Sequence, residues 1–319
     1  MSAMPTDPRS RPRPLSRAAV VLPALLLALT PAVSGCAAFG AERSGIVVTT
    51  NILGDITRNV VGDQAEVTVL MQPNADPHSF GVSAQQAAGL HDAELIVYNG
   101  LGLEEGVLRN VAAAEDVGTP ALAVAEGVEP IEFTRGDTAG QPDPHFWTDP
   151  VRAGEAADLI AETVIDEVGG ADAAAVRANA EDYRAHVDRL HEHARQRFAD
   201  IPRERRKLVT NHHVFGYLAR RYGFEVVGAV VPSGTTLASP SSADLKSLAD
   251  TVREAGVPAI FADSSQPDRL ARVMADEAGV DVAVVALFSE SLTAKGGGGA
   301  TYLEMTRHNT DAIAEGLTG

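Results

Sequence analysis

Residues 171–201 read ADAAAVRANAEDYRAHVDRLHEHARQRFADI, with no Gly or Pro between Gly170 and Pro202. Ala, Arg, Glu and Leu lose little side-chain freedom in a helix, so the stretch predicts one continuous helix roughly 45 Å long at 1.5 Å rise per residue. Val176, Tyr183, Val187, Leu190 and Phe198 draw a thin apolar stripe along it, and the rest is Arg, Asp, Glu, His and Ala. Such a stripe can pack along two neighbouring lobes but is too narrow for a bundle core. The segment therefore reads as a rigid rod rather than a flexible linker, with a cleft of little hinge freedom between the halves it separates.

On both sides of the rod, short Val- and Ile-rich runs alternate with segments of helical spacing, the pattern of a mostly parallel sheet with covering helices. Before it, 46–49, 67–71, 95–98 and 121–125 read as strands, Ile52, Ile56 and Val60 recur every fourth residue, and Ser83 is placed to cap a helix over 84–91. After it, 207–210, 226–230, 259–262 and 282–287 read as strands, with helices over 215–222, 242–255, 267–278 and 300–317. The expected fold is α/β: two Rossmann-like lobes, 46–170 and 203–319, joined by one long helix at 171–202, with any site in the interlobe cleft.

The first residues read as an address. Arg9, Arg11, Arg13 and Arg17 precede an apolar run from Ala18 to Val33 that Pro23 and Pro31 interrupt, too short and broken for a spanning helix. Val33-Ser34-Gly35-Cys36 closes it and resembles the lipobox of bacterial lipoprotein signals. That resemblance implies removal of residues 1–35, acylation of Cys36, and a tether over 36–45 at the outer face of the cytoplasmic membrane. Cys36 is the single cysteine in 319 residues, which excludes intrachain disulfides, cysteine zinc sites and CxxC redox pairs. With 26 Lys and Arg against 43 Asp and Glu, the net charge of -17 repels nucleic acid, and none is expected as a partner.

Metal chemistry would thus rest on His and carboxylates, and three of the nine histidines leave strand ends, where ligands collect in open α/β sheets. His78 and His145 each close an Asp-Pro-His tripeptide, and His212 stands two residues past the run at 207–210. Pro before His restricts the loop, while Asp76 and Asp143 are natural acceptors for an imidazole N–H, fixing the tautomer that binds metal. Glu290, the carboxylate leaving the last strand, completes three nitrogens and one oxygen, a set suited to tetrahedral zinc more than to manganese. His213 is the alternative to His212, because register at a strand-to-helix junction is loose by a residue. His186, His191 and His193 read as the solvated face of the rod, and His91 and His308 as helix-surface residues. Phe146 and Trp147 read as packing beneath the His145 loop, Arg203 to Lys207 as a solvated basic patch, and Gly296 to Gly299 as a mobile turn.

Taken together, Asn51-Ile52, Asp76-Pro77-His78-Ser79-Phe80, Asn99-Gly100 with Gly102-Leu103-Glu104, Asp143-Pro144-His145-Phe146-Trp147-Thr148-Asp149-Pro150, His212-His213-Val214-Phe215-Gly216-Tyr217 and Glu290-Ser291-Leu292 resemble the helix-linked metal receptors of zinc and manganese ABC importers. The resemblance implies that His78, His145, His212 and Glu290 bind the ion between the lobes. Its implied partners are a membrane permease with a cytoplasmic ATPase and a metallochaperone that loads the cleft, and its implied state is a monomer. His at the third position implies zinc rather than manganese. Two departures stand out: Glu290 replaces the usual Asp, and the 126–143 segment lacks the His-rich loop common in zinc receptors. An enzyme is not expected, since four protein ligands close the shell that catalytic zinc keeps open, and no HExxH or Gly-x-Ser-x-Gly is present. A chelate receptor for a siderophore or cobalamin-like ligand would show Arg, Trp and Tyr at the strand ends instead of three His.

Overall fold

The computed structural model describes residues 45–265, 269–279 and 282–318; Cys36, the expected leader and the expected tether up to residue 44 lie outside the described residues. Strand β1 (Ile46–Val48), helix α1 (Asn51–Val61), β2 (Val67–Val69), α2 (Ala84–Asp92), β3 (Leu95–Tyr98), α3 (Leu108–Asp116) and β4 (Ala121–Ala123) build the first lobe. Its sheet is all parallel in the order β2-β1-β3-β4. Helix α4 (Pro150–Glu167) and helix α5 (Ala173–Ala199) follow. The second lobe contains β5 (Lys207–Thr210), α6 (Gly216–Tyr222), β6 (Glu225–Ala229), α7 (Ser242–Ala255), β7 (Ala259–Asp263), α8 (Arg269–Ala278), β8 (Ala283–Leu287) and α9 (Tyr302–Thr318). Its order, β6-β5-β7-β8, repeats the first, again with every pair parallel. The two-lobed α/β architecture expected from the alternating pattern is what the chain adopts.

The rod is α5, about 40 Å long by its residue count. Asp172 starts it by accepting from the backbone N–H of Ala174 at 2.8 Å. Its stripe serves two cores in turn. Val176, Ala180, Tyr183, Val187 and Leu190 sink into the first core with Ile56, Val60, Ile160 and Val164. Ala194 and Phe198 enter the second with Leu208, Phe224, Phe261 and Ile313. One straight element is thus embedded in both lobes, and lobe motion about it must disturb one core or the other.

Two helices escape the periodicity reading. Helix α4 runs antiparallel to α5, tied by Arg177 to Glu162 at 2.9 Å and by Arg184 to Asp158. Its start was written in the sequence, with Asp149 as N-cap and Pro150 in the first turn. Helix α3 begins at Val107 with no side-chain cap, so it carried no start signal. Ser83 does cap α2, in a reciprocal capping box with Gln86. Residues 267 and 268 of the expected 267–278 helix lie outside the described residues. Among the described residues, no helix is long and apolar enough to cross a membrane.

The rod's polar face is more engaged than a solvated face. His193 Nε2 lies 3.0 Å from Asp311 of α9, which also accepts from Arg197 Nε at 2.9 Å. His191 Nδ1 meets the Tyr222 hydroxyl of α6 at 2.9 Å. These residues face neighbouring helices because α5 is flanked on its polar side by the second lobe. His186 and His91 are exposed as expected, and exposed His308 stacks on Phe288. Arg206, in the basic patch, is not simply solvated, since it donates to the carbonyls of Ile201 at 3.0 Å and Tyr222 at 3.1 Å. The Gly296–Gly299 turn is pinned by reciprocal backbone and side-chain bonds between Thr293 and Gly299.

Candidate metal centre

Both sheets turn their carboxyl ends toward one place, and the segments leaving them deliver four side chains there. His78 comes from the loop after β2, His145 from the long connection after β4, His212 from the residues after β5, and Glu290 from the loop after β8. One donor atom from each lies within 4.8 Å of the others, and all four residues are buried. His212 Nε2 stands 3.1 Å from Glu290 Oε1, His145 Nε2 3.7 Å from the same oxygen, His78 Nε2 3.7 Å from Oε2, and the His78 and His145 Nε2 atoms 3.5 Å apart. Four donors bonded tetrahedrally at ~2.0–2.1 Å are separated by ~3.3 Å along each edge. Four of the donor separations, 3.1–3.7 Å, lie close to that edge.

Hydrogen bonding leads to the same place. Both ring nitrogens of His212 and both carboxylate oxygens of Glu290 are buried with no hydrogen-bond partner among the described residues. Groups so placed lose the free energy of hydration unless something else binds their lone pairs. A divalent cation does that for every one facing it.

Asp143 sets the chemistry of His145. Its Oδ1 accepts from the His145 backbone N–H at 3.0 Å and lies 2.7 Å from His145 Nδ1. The proton therefore sits on Nδ1, and Nε2 offers its lone pair to the cluster. Asp76 takes the corresponding backbone bond from His78 at 2.9 Å and also accepts from the hydroxyls of Ser79 at 3.0 Å and Thr236 at 2.6 Å. The two Asp-Pro-His motifs thus share a backbone device.

Charges in the cluster are coupled. Burial, then the neighbouring His145 and His212, push the His78 imidazole down to about 2, so it is neutral across the physiological range. Burial alone would lower His145 too, but the Glu290 charge and the Asp143 hydrogen bond outweigh it and raise its pKa. Burial raises Glu290 above the usual carboxylate range against the pull of His145 and His212. His213 stands outside the four: its backbone N–H donates to Ser233 O at 3.0 Å, and burial followed by the nearby His212 lowers its pKa. It lines a cleft of about 400 Å³ with Phe133, Phe215, Arg220 and Phe224, against Asp143.

The Glu290 loop is held from both lobes, by residues to which sequence reasoning gave no part in holding it. Asn309 clamps Phe288 through both its N–H and its C=O, each at 2.9 Å. Asn51 donates to Ser291 Oγ at 2.8 Å and accepts from Leu292 N at 2.9 Å. Buried Trp147 does pack beneath the His145 loop, and it also donates to Ser289 O at 2.9 Å. Asp263, at the end of β7, accepts from the Ser289 hydroxyl. Of these, Asn51 and Asp263 carried a readable signal, as polar residues leaving strand ends.

The family model described as zinc-uptake complex component A, periplasmic, matches residues 46–316. The chain belongs to this family. Among its relatives, the manganese ABC transporter substrate-binding lipoprotein PsaA of Streptococcus anginosus is 28% identical over 284 residues, covering 87% of this chain and 90% of that protein. The iron-binding protein YfeA of Yersinia pestis is 29% identical, covering 87% of each. Among solved structures, the periplasmic zinc binding protein TroA of Treponema pallidum superposes with a TM-score of 0.77 at 29% identity, covering 86% of this chain and 99% of that one. The manganese-bound periplasmic metal binding protein of Candidatus Liberibacter asiaticus gives 0.75 at 26% identity, covering 86% and 100%. Proteins similar to this chain are thus named for zinc, manganese and iron, and the solved ones share its fold.

Proposed function

We propose that the protein is an extracytoplasmic receptor that captures one divalent ion, zinc by preference, between His78, His145, His212 and Glu290. It then delivers the ion to the permease of an ABC importer driven by a cytoplasmic ATPase. The observation that carries the reading is the cluster itself: four buried donors within 4.8 Å of one another, two of them with atoms that have no hydrogen-bond partner among the described residues. Manganese, the cargo named for PsaA, is the competing reading. Three imidazoles and a single carboxylate favour zinc, because manganese asks for more oxygen ligands and a larger shell. Cys36 is the proposed lipid anchor that keeps the loaded receptor beside its permease.

On capture, the residues divide the work. His78 offers a lone pair with no proton to displace, whereas at His145, whose pKa is raised, a proton competes with the ion. Asp143 keeps His145 oriented through Nδ1. With α5 embedded in both cores, the lobes hold their spacing, and catalytic chemistry has no open ligand position to use.

Competition titration of the chelator-stripped protein tests this. Zinc is expected to bind one-to-one and displace manganese, and His212→Ala is expected to weaken zinc by more than the ~100-fold that marks loss of an outer-shell partner. Glu290→Ala reports whether the longer carboxylate is a ligand. Tight binding of neither ion, or equal binding of both, overturns the zinc reading.

A further inference from the structure

The segment between β6 and α7 leaves the second lobe and comes to rest on both Asp-Pro-His loops. Val231 N donates to Asn211 O at 2.8 Å, and Ser233 O accepts from His213 N, which fixes its base. Gly234 is buried against Phe133, and a Cβ there would lie 2.4 Å from Phe133 Cζ, so the backbone can sit on the ring only as glycine. Phe133 in turn meets the His145 ring edge-on, with centroids 6.1 Å apart. Two residues further, the Thr236 hydroxyl donates at 2.6 Å to Asp76 Oδ2, on the carboxylate whose Oδ1 holds the His78 backbone N–H. Gly136, from the same connection as Phe133, packs against Pro232 O and His213. Residues 231–237 therefore form a roof over the cluster, seated on one histidine loop through a ring and on the other through a hydroxyl–carboxylate bond.

Other routes to the site are tied more firmly. The lobes are joined through α5 in both cores, through the Asn51 bonds to Ser291 and Leu292, and through Tyr302, whose N–H donates to Asp55 at 2.9 Å and whose hydroxyl donates to Trp147 O at 2.9 Å. Spreading the lobes breaks all of these. Lifting residues 234–237 about the base held at Val231 and Ser233 breaks the Thr236 bond and the Gly234 contact while leaving both cores intact.

We propose that Thr236 and Gly234 are positioning residues for metal capture and release. Acting through Asp76 and Phe133, they hold the His78 and His145 loops in register, and movement of the 231–237 roof sets how long the ion stays. This rests on the reading of the four-residue cluster as the metal site.

Release of zinc from the loaded protein into excess EDTA, followed by stopped flow, tests the proposal in wild type, Thr236→Val, Thr236→Ser and Gly234→Ala. Thermal unfolding of each metal-free protein is measured alongside. Loss of a hydrogen bond to a charged acceptor predicts about 10- to 100-fold faster release from Thr236→Val. Its thermal midpoint is expected to stay near wild type, and Thr236→Ser is expected to recover slow release. Gly234→Ala, which must displace Phe133, is expected to accelerate release independently. Release at the wild-type rate from both Thr236→Val and Gly234→Ala overturns the roof's role, as does a lowered thermal midpoint with unchanged release. A wild-type protein that takes up no zinc overturns the receptor reading itself.

Discussion

Asp143→Asn removes one charge beside the cluster while keeping the side chain's shape. In the wild type the Asp143 carboxylate accepts from both N–H groups of His145, at 3.0 Å from the backbone and 2.7 Å from the ring. A bond to a charged acceptor is worth about 1.5–3 kcal/mol, and each 1.4 kcal/mol is about tenfold in affinity. That range agrees with the 10–100-fold loss typical when a metal-bound histidine loses its outer partner. Asn keeps an acceptor oxygen, so zinc affinity at pH 7.5 is expected to fall about 10-fold for Asp143→Asn and about 100-fold for Asp143→Ala. The effect has a signed pH dependence. Asp143 helps to raise His145, so in the wild type a proton competes with zinc at the higher pH. Removing its charge lowers that pKa, and the gap between variant and wild type narrows at pH 5.5. Competition against a chromophoric chelator at both pH values reads this directly. Equal affinities for Asp143→Asn and wild type at both would refute the argument that this carboxylate sets the ligand strength of His145.

Zinc affinity of the wild type is expected to fall as pH drops from 7.5 to 5, because the raised pKa values of His145 and Glu290 let protons compete better with the ion as pH falls; calorimetry in buffers of different ionisation heat counts the protons released. His78, at about 2, carries no proton to release in that range, so His78→Gln should weaken binding without reducing the proton count. Tyr217→Phe removes a buried hydroxyl that donates to Asp143 O at 2.8 Å and accepts from Ile131 N at 3.2 Å; urea unfolding of the metal-free protein is expected to show a loss of about 1–3 kcal/mol. Phe198→Ala empties the second core's grip on α5 and is expected to cost about 3–5 kcal/mol in the same assay.

How much of this was legible in the sequence follows from the range of each interaction. The rod declared itself because helix propensity and a stripe of apolar residues are local properties, and every residue named in that stripe is buried. His78, His145, His212 and Glu290 stood at strand ends, where parallel sheets gather ligands, so their chemistry and position could be read together. The choice between His212 and His213 turned on one residue of register, which the Thr210 hydroxyl bond to His212 O at 2.7 Å and the His213 bond to Ser233 help to fix in three dimensions. Asn51 reaching Ser291, Tyr217 reaching Asp143 and Thr236 reaching Asp76 span 240, 74 and 160 residues. No local pattern encodes such pairs, because an Asn, Tyr or Thr in a loop looks the same whether it crosses the cleft or faces water. His191 and His193 on the rod were misjudged for the same reason, since Tyr222 and Asp311 come to them from other helices.

X-ray absorption at the zinc edge of the loaded protein tests the central claim most directly. The account predicts one zinc with three imidazole nitrogens at ~2.0–2.1 Å and a carboxylate oxygen at ~2.0–2.2 Å, with one imidazole fewer in His212→Ala. A shell made mainly of water oxygens, or one unchanged by His212→Ala, would contradict it.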